Sequence, residues 1–439
     1  MTGFDLGLLE ASTGAAAVVG DQALLAAMVD VEAAHLAALV AAGVAQGSAD
    51  WDAEALDLPA IAAAGAAGGN PVIPLVGALR AATPQPLADA VHLGLTSQDV
   101  LDSALMLLAA RALTAAEAPI ARVREGLAGL ADANRTTPVA GRTLGQQAAP
   151  TTVGLRLAVL LDGVTRTWRH LDGLELPLQL GGSVGTVAVL ADRLGPDGAA
   201  ALRADVAERL GLAPRVGVWH VERSPVALLG AGLAAVLGAL GRIGLEIAQG
   251  ARTEIGELDL ALGDGEGGSS AMPQKQNPVP AVLLVANARR APGLAGTLLG
   301  AQLALDDRPA GDWHAEWQPL RELLRLLVES AVLADRAVAA LQVHGDRTRA
   351  NLGASAGAVH AERAQQVLAR ALGRARAAEI VRAALAADDF VPAVLAASAE
   401  AGADADTAAR LREATATGGP VGLSDRLIDA AIRAAEGDA

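Results

Sequence analysis

The sequence predicts an all-α fold built around a bundle of long helices, and three observations carry that expectation. Ala and Leu, both strong helix formers, dominate the chain, while Tyr is absent and Phe occurs only twice. Long segments show no strand-like alternation of apolar and polar residues. The loops between those segments are short, which is the pattern of a large helical bundle.

From Asp21 to Ala42, apolar residues recur at three- and four-residue steps with Asp30 and Glu32 between them, the spacing of an amphipathic helix. The stretch from Gln98 to Asn134 predicts a long helix that ends in a loop at RTTP. Pro150–Leu174, Ser224–Leu260, Pro280–Leu305 and Asp312–Val343 predict four more. Pro225–Gly241 is uncharged but short and interrupted by glycine, so a buried bundle helix fits it better than a membrane span of about 20 residues. From about residue 341 the chain turns to shorter Ala-rich helices with Gly and Asp breaks. The expected division is therefore an N-terminal helical domain (1–105), a central long-helix bundle (106–343) and a small C-terminal helical domain (344–439). Some helices are apolar nearly all round. One subunit cannot easily bury them all, so a homotetramer is expected.

A chain of 439 residues can bury a sizeable core. It has no cysteine, which excludes disulfides and thiolate metal sites. Its seven histidines have no metal-ligand spacing, so no metal is expected. A net charge of −15 disfavours nucleic acid as a partner. An anionic substrate would need a local cationic pocket. The N-terminal MTGFDLGLLE has neither a basic segment nor a long apolar run, so no leader is expected and a cytoplasmic setting is.

The least ordinary segment is GDGEGGSSAMPQKQNPVP, residues 263–280. Its glycines and serines lie between two predicted helices, so it should be a mobile, non-helical loop. A solvated linker would have no need of Met272, Pro273, Lys275 and Asn277 at fixed spacing behind a serine pair. The string resembles the signature loop G-S-S-x-M-P-x-K-x-N-P of the fumarase/aspartase superfamily, with every fixed position matched. The resemblance implies a three-domain, all-α fold, Ser269 as the catalytic acid/base, and Lys275 and Asn277 as ligands of a substrate carboxylate. The chemistry fits. A glycine-rich loop can close over a substrate and aim backbone N–H groups at developing negative charge, and Lys275 adds a cation.

The segment HLGLTSQD, residues 92–99, resembles the H-x-G-x-T-S-x-D segment of the same superfamily. Thr96, Ser97 and Gln98 would offer donors at a helix N-terminus, where anions are favoured. The same residues also read as a simple helix cap, and both readings can hold. The resemblance makes His92 a substrate contact. A third segment, GRTLGQQAAPTT (141–152), resembles the G-R-T-H-x-x-x-A-x-P segment of adenylosuccinate and argininosuccinate lyases. It places Arg142 and Gln147 among the substrate contacts. Here the sequence departs from those lyases. Leu144, expected to be buried, stands where they carry the His that protonates a leaving nitrogen. Gln147 stands where many relatives carry a second His.

WHVERSP (219–225) resembles W-H-T-x-R-D-R and keeps Trp219, His220 and Arg223. RPAGDWHAEW (308–317) matches R-x-x-x-x-W-H-A-E-W. GNPVIPLV (69–76) has Asn70 where adenylosuccinate lyases carry a His. These segments resemble the cycloisomerase branch of the superfamily, whose members act on 3-carboxy-cis,cis-muconate. The resemblance implies a cofactor-free enzyme acting on a small polycarboxylate, with active sites shared between subunits. The alternatives are an adenylosuccinate-type or other fumarate-eliminating lyase, a catalytically silent relative, or a polycarboxylate-binding protein.

Overall fold

A computed structural model describes residues 14–263, 265–269, 271–272, 274–417 and 421–437. The segment MTGFDLGLLE, and Ser270 and Pro273 of the signature loop, lie outside the described residues. Eight of the helices position the candidate site: α1 (Asp21–Ala41), α2 (Ser97–Ala133), α3 (Val153–Asp172), α4 (Ala188–Leu210), α5 (Ser224–Gly250), α6 (Val279–Gly300), α7 (Asp312–Ala339) and α8 (Gly345–Gly353). Some 67% of the residues are helical, so the two small sheets described below do not change the all-α class.

Those sheets are the main departure from the predicted elements. Strands β1 (Pro138–Thr143) and β2 (Gln146–Thr152) form an antiparallel hairpin in which Arg142 opposes Gln147. Predicted helix 150–174 therefore starts only at Val153. The β-branched Thr151 and Thr152 favour strand, Pro150 is tolerated in a two-stranded sheet where both strands are edges, and the Thr152 hydroxyl then caps α3 by accepting from Leu155 N at 3.1 Å. Strands β3 (Leu258–Leu260) and β4 (Leu341–Val343) pair antiparallel, Leu258 with Val343 and Leu260 with Leu341. Helix α5 consequently stops at Gly250 rather than Leu260. A Cβ at Gly250 would come within 2.7 Å of the Leu258 side chain, and Gly256 takes a left-handed φ of 59°. Helix α1 is not amphipathic as expected. It is buried on most sides, and Glu32 and His35 are buried with its apolar residues.

The chain divides into two compact units. The first comprises the described residues of Met1–Ile120, with Thr167–Gly241 and Leu283–Ala334. The second comprises Ala121–Arg166, Arg242–Val282 and Asp335–Ala439. In the first, α1 packs on α4. In the second, β1 packs on α8, and the short C-terminal helices close round Leu368, Ile380, Phe390, Val394 and Leu411. Among the described residues, three helical stretches, Ala15–Ala41, Ser97–Ala133 and Ser224–Gly250, are long and apolar enough to cross a membrane. In each, 61% of the apolar window is buried inside the chain, as in a bundle core.

Candidate active site

In the first unit, the site is built on the N-terminus of α2. Thr96 precedes the helix, and its N–H donates to Asp99 Oδ2 at 3.0 Å, the reciprocal half of a capping box. The Thr96 hydroxyl accepts from Arg308 Nη1 at 2.5 Å instead of capping the helix. The cap reading of HLGLTSQD is thus met through Asp99. The acid closes the cap, while the hydroxyl and the guanidinium stand together at the positive end of a 37-residue helix. Ser97 begins that helix and is half-buried. Gln98 is fully buried, and its amide is committed inside the chain. It donates to His220 O at 2.9 Å and to Asp102 Oδ2 at 3.3 Å, and accepts from Arg308 Nε at 3.3 Å. Its carbonyl oxygen thus tethers Arg308 beside Thr96.

Beneath this layer, the two tryptophan-containing motifs converge. Arg223 donates to Asp102 and to Glu316, and all three side chains are at most 2% exposed. Trp313 Nε1 donates to Asp102 at 2.9 Å. Trp219 lies under the Arg223 guanidinium, 4.9 Å from ring centre to charge. Burial pulls the Arg223 pKa down, but the two carboxylates together hold it above its ordinary value. Burial pushes the Glu316 carboxyl up to about 7 against the opposing pull of Arg223. His220 Nε2 meets Asp99 Oδ1 at 2.8 Å, and the same carboxylate accepts the N–H groups of Gly181 and Gly182. His92 packs its Nδ1 against Glu32 Oε1 at 2.5 Å. Trp313 and Trp317 stack edge to face at 4.8 Å, as their four-residue spacing on one helix suggests.

The second unit holds the other predicted residues. The Arg142 guanidinium is gripped by Glu257 through two bonds of 2.8 and 2.5 Å. Hydrogen bonding to Glu257 raises the Arg142 pKa. Burial would raise the Glu257 carboxyl, but donors on Arg142 and Asn351 hold it below its ordinary value. Gln147 is exposed and donates to the Asn351 carbonyl at 3.0 Å. Asn351 in turn donates to Glu257 at 2.9 Å, so α8 clips the hairpin in place.

The signature loop is non-helical over its described residues, as predicted. Its neck is closed by Asn277, whose backbone and side-chain N–H groups both donate to the Gly267 carbonyl, at 2.7 and 2.8 Å. Gly267 is required there, because its φ is +71° and a Cβ would sit 2.5 Å from Asn277 O. Ser269 is half-buried inside this neck, its hydroxyl accepting from Met272 N at 3.3 Å. Lys275 is exposed, with its backbone N–H turned onto Met272 O. The structure thus brings together His92, Thr96, Ser97 and Gln98 in one unit. It brings together Arg142 and Gln147 in the other, which also carries Ser269, Lys275 and Asn277.

Leu144 corrects a sequence expectation. It is fully exposed at the hairpin tip, 103% by relative area, with a left-handed φ of 51° beside Gly145 at 82°. Two positive φ values make the tight turn that a hairpin needs. Leu144→His should therefore shift stability by no more than about 0.5 kcal/mol, since no apolar burial is lost, and His tolerates that backbone better than Leu. Thermal unfolding checks this. A loss of several kcal/mol would show that another copy covers the tip.

Sequence reasoning left Glu32, Glu257, Arg308 and Asn351 without roles. Of these, Glu32 carried the clearest signal, an acid in the middle of an apolar helix.

The model of the lyase family matches residues 10–293. The chain belongs to that family, within the fumarase/aspartase superfamily. It is 42% identical over 390 residues to a nitrosuccinate lyase of Streptomyces davaonensis, covering 85% of this chain and 82% of that one. It is also 42% identical over 319 residues to a 3-carboxy-cis,cis-muconate cycloisomerase of Pseudomonas aeruginosa, covering 71% and 68%. Among solved structures, the 3-carboxy-cis,cis-muconate lactonizing enzyme of Pseudomonas putida superposes with a TM-score of 0.87 at 33% identity over 98% of both chains. The fumarate lyase of Mesorhizobium sp. BNC1 gives 0.81 at 27% identity, over 95% of this chain and 97% of that one.

Proposed function

We propose that this lyase acts where a weakly basic anion, not an amine, adds or departs beside a substrate carboxylate. Its reaction is the conversion of 3-carboxy-cis,cis-muconate to carboxymuconolactone in protocatechuate breakdown. The observation that carries this reading is the hairpin at 138–152. It holds no imidazole, an exposed Leu144 marks its tip, and Gln147 is tied to Asn351. An amine departing there would find no acid on that element. A carboxylate, with an ordinary pKa of about 4.3, needs none. In the lactonising direction, a substrate carboxylate oxygen bonds to one alkene carbon while Ser269 delivers its proton to the neighbouring carbon, alpha to a second carboxylate. The cation and donors at the start of α2 of one subunit, with Lys275 and Asn277 of another, supply the charge that the resulting anion requires. No cofactor enters the reaction.

The assembly is a cytoplasmic homotetramer whose active sites draw on more than one subunit. An exposed line along α6, Val279, Val282, Ala286, Gly293, Gly296 and Gly300, broken by the one charge of Arg289, supports close packing of copies.

A second reading has its own support. The similarity to the nitrosuccinate lyase spans more of the chain than that to the cycloisomerase, 85% against 71%. Nitrite is also a weakly basic anion that departs unprotonated. One set of assays separates the two. Purified enzyme is expected to abolish the ultraviolet absorbance of the conjugated carboxymuconate diene. Nitrite released from nitrosuccinate with no diene loss would move the assignment to the second reading. Efficient cleavage of adenylosuccinate would overturn both, because an amine would then leave from a hairpin that cannot protonate it.

A further inference from the structure

The first unit buries a carboxylate that the proposed reaction does not use. Glu32 lies mid-way along α1 and is 1% exposed. Its Oε1 meets His92 Nδ1 at 2.5 Å, and its Oε2 has no hydrogen-bond partner among the described residues. A buried carboxylate with one oxygen unmet is costly, and an apolar side chain of similar size would pack α1 at least as well. Something other than stability explains an acid there.

Three consecutive residues, 91 to 93, are each gripped by a side chain from a neighbouring helix. Arg80 Nη2 donates to Val91 O at 3.0 Å, and Glu32 takes the His92 ring. His35, one turn along α1 from Glu32, places Nε2 2.9 Å from Leu93 O. Since that carbonyl can only accept, His35 donates through Nε2–H. Burial lowers its pKa, so it serves as a neutral donor. Between these anchors, His92 adopts a left-handed φ of 63°, a conformation that persists only where the surroundings over-determine it. Its side chain keeps 17% exposure. The ring is therefore fixed on one edge and open on the other.

We propose that Glu32 is the positioning residue for His92: by engaging Nδ1 it leaves Nε2 as the nitrogen that a substrate carboxylate meets. This rests on the reading of His92 as a substrate contact. A carboxylate that accepts Nδ1–H fixes the ring plane, and it balances the charge of the imidazolium whose Nε2–H donates a hydrogen bond to the substrate carboxylate and keeps its proton. Without it, the ring could flip, and its two nitrogens would be equivalent choices.

The test compares wild type with Glu32→Gln, which keeps an acceptor oxygen, and Glu32→Leu, which keeps only the packing. Nitrogen NMR of histidine-labelled protein reads the His92 tautomer without any substrate. Wild type and Glu32→Gln are expected to show the Nδ1–H form, and Glu32→Leu to lose it. On the substrate that wild type turns over, kcat/KM should fall about 10- to 100-fold in Glu32→Leu, the loss expected for a hydrogen bond to a charged group. Glu32→Gln should recover part of that loss, while the melting temperature of Glu32→Leu stays level or rises. An Nε2–H tautomer in wild type would overturn the proposal. So would a Glu32→Leu enzyme with wild-type kcat/KM. If wild type turned over neither carboxymuconate nor nitrosuccinate, the functional reading would fail while the tautomer result still decided the role of Glu32. Should Glu32→Leu not fold, wild type and Glu32→Gln carry the tautomer test alone.

Discussion

Ser269→Ala is expected to lower kcat on the order of 10³-fold or more while leaving the fold intact. The size follows from asking one hydroxyl to move a carbon-bound proton. General acid–base groups contribute about 10²–10⁴-fold, and loss of preorganised stabilisation of negative charge adds a similar factor. The fold should survive because, among the described residues, the Ser269 hydroxyl makes a single long contact, 3.3 Å to Met272 N, while the loop neck is closed by Asn277 on Gly267. Steady-state kinetics with circular dichroism check both halves. Activity within tenfold of wild type would remove Ser269 from the proton transfer. A collapsed far-ultraviolet spectrum would mean that the hydroxyl is holding the loop instead.

Why the sequence offers Ser269 as a candidate, and does not pair Glu32 with His92 or Glu257 with Arg142, is a matter of range. The signature loop is contiguous, and its glycines, proline and lysine are legible because local backbone demands are written in local residues. Long helices are legible for the same reason, and α1 and α2 begin within a residue of their predicted starts. The strands were not legible. β3 and β4 are three residues each and lie far apart in the chain, and neither would exist without the other. The β1–β2 turn uses Leu-Gly where Asn-Gly or Asp-Gly is the usual signal, so nothing local announced it. Arg142 stands out by its motif, but its partner Glu257 is 115 positions away. The commitment of Gln98 to His220 spans 122. Pairings of that length are products of packing. The motifs WHVERSP and RPAGDWHAEW could be seen as unusual, but only packing shows that Arg223 of one and Glu316 of the other share a buried ion cluster with Asp102.

That cluster gives the largest expected effect on stability. Arg223→Ala should destabilise the fold by about 3–5 kcal/mol, the range for removing one member of a buried ion pair. Asp102 and Glu316, both at most 2% exposed, would be left facing each other with no cation between them. The pH dependence has a definite sign. The Glu316 carboxyl already titrates at about 7 in the folded chain, above its ordinary 4.5. A group whose folded pKa is raised binds its proton more tightly when folded. Its contribution to stability is therefore complete below about 4.5 and is lost as pH rises toward 7. Removing Arg223 takes away the main opposing pull and makes the ionised form costlier still. The deficit of Arg223→Ala against wild type should thus be smaller near pH 5, where Glu316 keeps its proton, than near pH 8. Urea unfolding at the two pH values measures it, and an equal deficit at both would mean that water or another cation replaces the guanidinium. Exchanging the whole cluster for apolar residues, Asp102→Leu, Arg223→Met and Glu316→Leu together, should recover most of the lost stability, because no unpaired charge then remains. Activity should not return with it. Gln98 would lose its Asp102 acceptor and hold Arg308 less firmly beside Thr96. A triple variant that was both stable and fully active would show that the cluster has no part in placing Arg308.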